Sequence, residues 1–225
     1  MLMSSVSVVV PVFNRECFLR ETLQSICDQS LAPYEIIVLD DGSTDNTRSV
    51  VREFGPSVSY FYQENQGIGA ARNAGVAHAS GESLAFLDSD DLWSVDALES
   101  RARVLEADRK LDMVFGYAQN FLSPEVKESD LAKLNIFEPL PGFSCGGMLI
   151  RRKSLNVVGP FRTDLKTGEF IEWMARADEF GLRRELIINT VLQRRIHTSN
   201  HTLSHQNGYL RILKETLDRR RMASV

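Results

Sequence analysis

The sequence predicts an α/β fold: a mostly parallel, doubly wound sheet with helices on both faces. Two observations predict it. Short β-branched runs alternate with helix-spaced runs through the first half of the chain. The connections between them are short, as expected where each helix crosses back right-handed to a parallel neighbour.

The first run, VSVVVPV at residues 6–12, is apolar and β-branched, the pattern of a strand covered on both faces. From Glu16 to Gln29, Leu19, Leu23, Ile26 and Cys27 recur at helical spacing. EIIVLD (35–40) reads as a second strand, after which Ser43 or Thr44 can cap a helix that ends near Phe54, before Gly55-Pro56. VSYFY (58–62) is a third strand, and the Ala-rich stretch 68–79 is a helix. SLAFLD (83–88) is a fourth strand, Ser94 can cap a helix over about 95–108, and MVFGYAQNF (113–121) is a fifth strand. After residue 122 the pattern loosens. Residues 124–142 read as a surface excursion, while 168–181 and 206–221 look helical. Leu210, Leu213 and Leu217 give the last helix an apolar stripe suited to docking on the domain, and Arg219–Arg221 a basic, solvated end.

At 225 residues the chain suits a single domain, 1–225, with a regular half over about 1–120, a looser half over about 121–205 and a C-terminal helix over about 206–225. A net charge of −4 provides no basic field, which argues against a nucleic-acid partner. Cys17, Cys27 and Cys145 are too few and too scattered for a disulfide framework, so a reducing, cytoplasmic setting fits best. The apolar run 6–13 is short, contains Pro11 and lacks the basic flank of a secretory signal; no stretch approaches a membrane span.

Ligands of an open parallel sheet bind beyond the carboxyl ends of its strands. Polar clusters sit at those ends: Phe13-Asn14-Arg15 after the first strand, Asp40-Asp41-Gly42-Ser43 after the second, Asn65-Gln66-Gly67 after the third, and Asp88-Ser89-Asp90-Asp91 after the fourth. Asp40 directly follows its apolar strand and is expected to face the cleft, where it can accept a hydrogen bond from a nucleobase imide; Asp41 reads as a turn-maker. Asp88 and Asp90, two apart in a tight turn, can direct carboxylates toward one hard cation such as Mg²⁺ or Mn²⁺, completed by substrate phosphates. Arg72 is placed to approach phosphate or base. The stretch NQGIGAARNAG lacks the full dinucleotide fingerprint and follows the wrong strand for it. His197, His201 and His205 recur every four residues, but Thr198, Ser199 and Asn200 are poor helix formers and the zinc-protease pattern is absent.

Taken together, VSVVVPVFN, VLDDGSTDNT, NQGIGAARNAG and FLDSDD, in this order and spacing, resemble the family-2 glycosyltransferases with their nucleotide-sugar-binding GT-A fold. The resemblance makes the regular half the nucleotide-sugar side and the looser half the acceptor side. It implies that Pro11, Phe13, Asn14, Asp40, Asn65, Arg72, Asp88 and Ser89 line the nucleotide-sugar site, with Asp40 on a uracil-type imide. Asp88 and Asp90 match the family's D-x-D motif, so Asp88, Asp90 and His197 are implied metal ligands for Mn²⁺ or Mg²⁺. His197 falls in RRIHTSN, similar to the family's closing R-x-H-x-x-N segment. CGGMLIRRKSL (145–155) resembles the segment backing the acceptor cleft.

FRTDLKTGEFIEWMARADEFG (161–181) resembles the acceptor-side segment, where the family usually reads Glu-Asp with the Asp as catalytic base. Here Glu169 holds the Glu position and Phe170 the Asp position. Phenylalanine accepts no proton, so Glu169 and Glu172 become the candidate bases, with Asp164 a third. The implied reaction is metal-dependent, inverting transfer from a nucleotide-diphosphate sugar, with a UDP-sugar favoured. Its acceptor would be a hydroxyl on a glycan such as a polysaccharide, a lipid-linked glycan or a small molecule. Peripheral membrane contact stays open. Two alternatives stand beside it: a nucleotide-sugar-binding subunit without turnover, which Phe170 favours, and a sugar nucleotidyltransferase, which the lack of a Gly-rich loop after the first strand disfavours.

Overall fold

The computed structural model of the protein describes residues 5–126 and 138–198. Nine strands form one sheet among the described residues: β1 (Val6–Val12), β2 (Glu35–Asp41), β3 (Ser59–Gln63), β4 (Ser83–Phe86), β5 (Leu92–Trp93), β6 (Met113–Leu122), β7 (Leu140–Pro141), β8 (Met148–Arg151) and β9 (Arg184–Ile196). Six α-helices accompany them among the described residues: α1 (Glu16–Cys27), α2 (Thr47–Arg52), α3 (Ile68–His78), α4 (Ala97–Ala107), α5 (Arg152–Val158) and α6 (Glu169–Glu179). The spatial order is β3-β2-β1-β4-β8-β6-β9-β5, with β7 beside β6.

β1 pairs parallel with β2 and β4, and β2 with β3, so four strands point their carboxyl ends at one rim. β8 runs against both β4 and β6, which leaves β6 pointing with the first four; β9 pairs parallel with β6. The sheet is therefore mostly parallel, as the alternation predicts. Two apolar layers sandwich it. Val8, Val10, Ile36 and Val38 pack against Leu19, Leu23 and Ile26 of α1, Val50 and Val51 of α2, and Leu98 and Leu105 of α4. Val9, Ile37, Leu84 and Phe86 point the other way, toward Ala79 beyond α3, Leu155 of α5, and Phe170 and Trp173 of α6. Period-two alternation along each strand makes both layers, which is why the runs read as continuously apolar.

Several boundaries differ from expectation for local reasons. α2 spans only Thr47–Arg52, because Ser43 to Asn46 are spent on contacts to the β1–α1 loop. Ser94 does not cap α4 with its side chain; its hydroxyl donates to the Thr190 carbonyl of β9. α1 stops at Cys27 and β4 at Phe86. The long strand β9 and the short β5 that pairs with it were not anticipated; β9 alternates poorly, is half-exposed and breaks register with β6 near Tyr117. Part of the 124–142 excursion, His201, His205 and the expected helix 206–221 lie outside the described residues.

Candidate functional site

A cleft of about 360 Å³ opens at the carboxyl rim. Pro11 and Phe13 from the end of β1, Asn65 and Gly67 from the β3–α3 loop, and Asp88 to Asp91 from the turn after β4 line one side. Lys166, Thr167 and Glu169, at the entry to α6, line the other, with Arg194 of β9. The polar clusters expected on one rim therefore do share a cleft, and a candidate base from the second half joins them.

The loop after β1 is locked by its neighbours. Asn14 sits in the left-handed region at φ 51°, and its backbone N–H donates to Ser43 Oγ at 2.9 Å. Its side-chain oxygen accepts the Thr44 N–H at 2.8 Å. The Arg15 and Glu16 N–H groups, the first donors of α1, are taken by Thr47 Oγ1 and Asp45 Oδ2. Asn14 is thus a pin between two loops and not part of the cleft wall. Phe13, 41% exposed, and Pro11 do offer apolar surface to a ligand.

The two aspartates that end β2 face the opposite ways from those expected. Asp40 faces away from the cleft: its Oδ1 accepts the Ser43 N–H at 2.8 Å and its Oδ2 the Tyr60 hydroxyl at 2.7 Å. Asp41 lines the cleft, accepting from Gln63 Nε2 and the Gln66 N–H on Oδ1 and from the Gly67 N–H on Oδ2. The cause is strand geometry. β2 continues through Asp41, so Asp40 shares the face of Ile36 and Val38 while Asp41 shares that of Ile37, toward α3.

In the acidic turn, protein cations offset the crowding. Asp88 Oδ1 accepts from Arg72 Nη2 at 2.8 Å. Asp90 Oδ2 accepts from Arg15 Nε at 3.1 Å and lies 3.1 Å from His197 Nε2. Burial pushes the Asp90 carboxyl up, but the His197 hydrogen bond and the Arg15 charge outweigh it and hold it below its ordinary value. Asp91 makes no ion pair with a described residue; its Oδ1 accepts the Arg195 N–H at 2.9 Å. Burial, then the charges of Asp90 and Asp88, push its carboxyl well above its ordinary value. The Arg195 guanidinium, between the rings of Phe18 and Phe121, donates to the Asp90 carbonyl and to Glu21. Ser89 is buried and touches the cleft.

As a cation site, this turn offers two carboxylates. Among the described residues no group of three or more His, Cys, Asp or Glu gathers to hold a metal. His197 is buried with its ring 4.7 Å from that of Phe18, and its Nε2 is directed at the carboxylate. It serves Asp90 and does not line the cleft. Asp88 Oδ2 and Asp90 Oδ1 accept no hydrogen bond from a described residue. Two such oxygens fit a hard divalent ion whose remaining ligands come from a bound diphosphate and water.

On the acceptor side, Gly168 at φ 80° turns the chain into α6 and brings Glu169 to the cleft. Glu169 Oε1 pairs with Arg72 Nη1. Phe170 points the other way, stacked at 12° with Trp173 and edge-on to Phe115. Glu172 is buried off the cleft, its carboxylate accepting from Arg176 Nε, whose guanidinium also caps the Val158 and Pro160 carbonyls. That removes Glu172 from the candidate bases: it braces α6 against the α5 turn. Asp164 is exposed and paired with Arg162. Arg72 is 4% exposed, behind the cleft wall that Asp88 and Glu169 form. Arg15, Asp41, Lys166, Thr167 and Arg194 are polar cleft residues to which the sequence assigned no binding role. Arg15 and Asp41 did carry a signal, their places in the polar clusters at two strand ends; Lys166, Thr167 and Arg194 carried none.

A strand order of 3-2-1-4 with an inserted antiparallel strand, and an acidic turn after the fourth strand, define a nucleotide-sugar-type domain of the GT-A class. The profile of Glycosyl transferase family 2 matches residues 7–159, and the chain belongs to that family. An uncharacterized glycosyltransferase of Rickettsia typhi is 37% identical over 107 residues, 48% of this chain and 33% of the relative. Among the solved structures with a similar fold are two bound to nucleotide sugars. S. aureus TarS 1-349 in complex with UDP-GlcNAc has TM-score 0.76 at 21% identity, over 94% of this chain and 65% of that one. The mannosyltransferase PcManGT of Pyrobaculum calidifontis, in complex with GDP-Man and Mn²⁺, has TM-score 0.66 at 24% identity, over 91% of this chain and 60% of that one. The chain spans only 17% to 38% of the first curated relatives it matches.

Proposed function

We propose that this chain transfers a sugar, with inversion, from a nucleotide-diphosphate donor, a UDP-sugar in the favoured form, to an acceptor hydroxyl. The observation that carries the reading is one cleft lined by Asp41, by the Asp88–Asp91 turn and by Glu169. Each supplies a different need of the reaction.

Asp41 would read the base. Its carboxylate has about four lone-pair sites, and three are filled by Gln63, Gln66 and Gly67, which leaves one for an imide N–H. Pro11 and Phe13 would pack the base, and Asn65 and Ser89 lie within reach of the nucleotide sugar. Arg15, Lys166 and Arg194 place positive charge on a cleft that must receive a diphosphate. Asp88 and Asp90 would hold Mn²⁺ or Mg²⁺, with Arg15 and His197 fixing Asp90. The ion, when bound, offsets charge that grows on the departing diphosphate. Glu169 would accept the proton of the attacking hydroxyl. The acceptor belongs to the glycan, lipid-linked or small-molecule classes, and no helix among the described residues is long and apolar enough to cross a membrane.

Phe170 bears on the non-catalytic alternative. Its side chain belongs to the core, and a carboxylate already stands in the cleft one residue earlier. The absence of aspartate at 170 therefore does not leave the cleft without a base, which supports the enzymatic reading. A thermal-shift screen of UDP-GlcNAc, other UDP-sugars and GDP-mannose with Mn²⁺ tests the donor reading, since a ligand at about 100 times its Kd adds about 2.7 kcal/mol to stability. No shift with any nucleotide sugar would contradict it. Glu169→Gln is expected to lower turnover by about 100-fold or more while leaving the nucleotide-induced shift in place. Full activity would remove Glu169 from its role.

A further inference from the structure

We infer that Arg72 is a positioning residue, which holds Glu169 and Asp88 in place from behind the cleft and makes no contact with the nucleotide. The inference rests on the reading of Glu169 as the base. It replaces the role beside the nucleotide that the resemblance implies.

One turn of α3 carries the evidence. Gly69, Arg72 and Asn73 stand at i, i+3 and i+4, on one face of the helix. That face receives the chain segment that leads into α6. A Cβ at Gly69 would overlap the Arg162 carbonyl oxygen, so glycine allows the closest approach. Asn73 and Phe161 exchange two hydrogen bonds at 2.8 Å each, Nδ2 donating to the Phe161 carbonyl and the Phe161 N–H donating to Oδ1. The Arg72 guanidinium carbon lies 5.8 Å from the centre of the Phe161 ring. With the segment docked, Nη2 of Arg72 meets Asp88 from the donor side and Nη1 meets Glu169 from the acceptor side.

The chemistry selects arginine. A planar fork can hold two carboxylates in fixed directions, whereas an ammonium is a point charge on a flexible stem. Both carboxylates line the cleft and Arg72 does not. Its Nε is buried without a partner among the described residues, and its guanidinium donates hydrogen bonds to the two acids. Arg72 therefore acts through Glu169 and Asp88.

The test measures release of UDP from UDP-GlcNAc and of GDP from GDP-mannose with water as acceptor, because a base poised over a donor activates water when nothing else is supplied. Arg72→Lys keeps the charge and loses the fork. It is expected to lower kcat about 100-fold with the donor KM within about threefold of the unaltered chain. Arg72→Ala should regain part of its rate when guanidinium ion is added, which a collapsed fold would not do. In a Glu169→Gln background, Arg72→Lys should cost clearly less than in the unaltered chain, since the share of its effect that runs through Glu169 is already lost and only the share through Asp88 remains. A raised donor KM with kcat unchanged would make Arg72 a nucleotide ligand and overturn the inference, as would independent losses in the double variant. If Glu169→Gln loses activity but Arg72→Lys does not, only this inference falls. If Glu169→Gln stays fully active, or the unaltered chain releases neither nucleotide, the base reading falls and takes the inference with it.

Discussion

Asp40 and Asp41 share a backbone and a charge, yet their surroundings assign them opposite work. Asp40 accepts from Ser43 and Tyr60 on the α1–α2 side of the sheet, while Asp41 accepts from the β3–α3 loop beside the cleft. Asp41→Asn keeps the shape but replaces an acceptor oxygen with a donor. Calorimetry should show UDP affinity falling tenfold or more, as expected where a hydrogen bond to a charged group is worth about 1.5–3 kcal/mol. Asp40→Asn should instead lower the thermal midpoint, by a destabilisation of about 1–3 kcal/mol, with UDP affinity unchanged. The reverse pattern would restore Asp40 as the reader of the base. The sequence showed that an acidic pair ends this strand but not which member faces inward, because a one-residue error in the strand end flips the side chain to the other face. The partners of the acidic turn were equally hidden. Arg15 is 75 residues from Asp90 and His197 is 107 residues from it, and nothing local announces either pairing.

Among the elements, β1 to β4 were legible because each is a β-branched run bounded by turn residues, and α3 because its small residues match a helix that packs closely. Gly75 of α3 lies so close to Val9 that a Cβ would overlap the valine side chain. β9 was illegible for the opposite reason: only three of its thirteen positions are buried, and its pairing with β6 carries register breaks. α6 was legible as a helix, but its facing was not. Restoring the family's usual residue as Phe170→Asp should therefore not raise turnover. It would put a carboxylate against Phe115 and Trp173, and the thermal midpoint should fall steeply, since an unpaired buried charge costs several kcal/mol. A gain in transfer rate on Phe170→Asp would contradict this packing. The junction after α3 makes a separate test. Glu35 Oε1 accepts from Ser7 Oγ, the Ser80 N–H and Ser80 Oγ. Burial pushes its carboxyl up, but these hydrogen bonds hold it below the ordinary 4.5. A depressed acid stabilises the fold above its unfolded value, and that contribution is lost as pH falls through the lower folded value. Thermal midpoints recorded downward from about pH 6 should thus decline less steeply below about pH 4.5 in Glu35→Gln than in the unaltered chain. Parallel curves would remove Glu35 from this role.

For the whole molecule, the two halves are joined by a continuous sheet and, at the rim, by charges shared between distant segments. β9 returns the chain to pair with β5, and Arg195 ties that strand to the acidic turn through the Asp90 carbonyl and the Asp91 carboxylate. The α3 face joins the second half through Phe161 and Glu169. Overall architecture and the existence of one shared rim were readable because parallel strands send every loop of one kind to the same edge. How the rim balances its charge was not, since that balance is made of contacts between residues far apart in the chain. The central claim is that the turn after β4 receives a diphosphate together with a divalent ion. Calorimetric titration of UDP, and of GDP, with and without Mn²⁺, into the unaltered chain and into Asp90→Ala tests it most directly. The account predicts that Mn²⁺ tightens binding of one nucleotide by at least about tenfold and that Asp90→Ala abolishes the gain. Equal affinity with and without the metal, or an undiminished metal effect in Asp90→Ala, would contradict it.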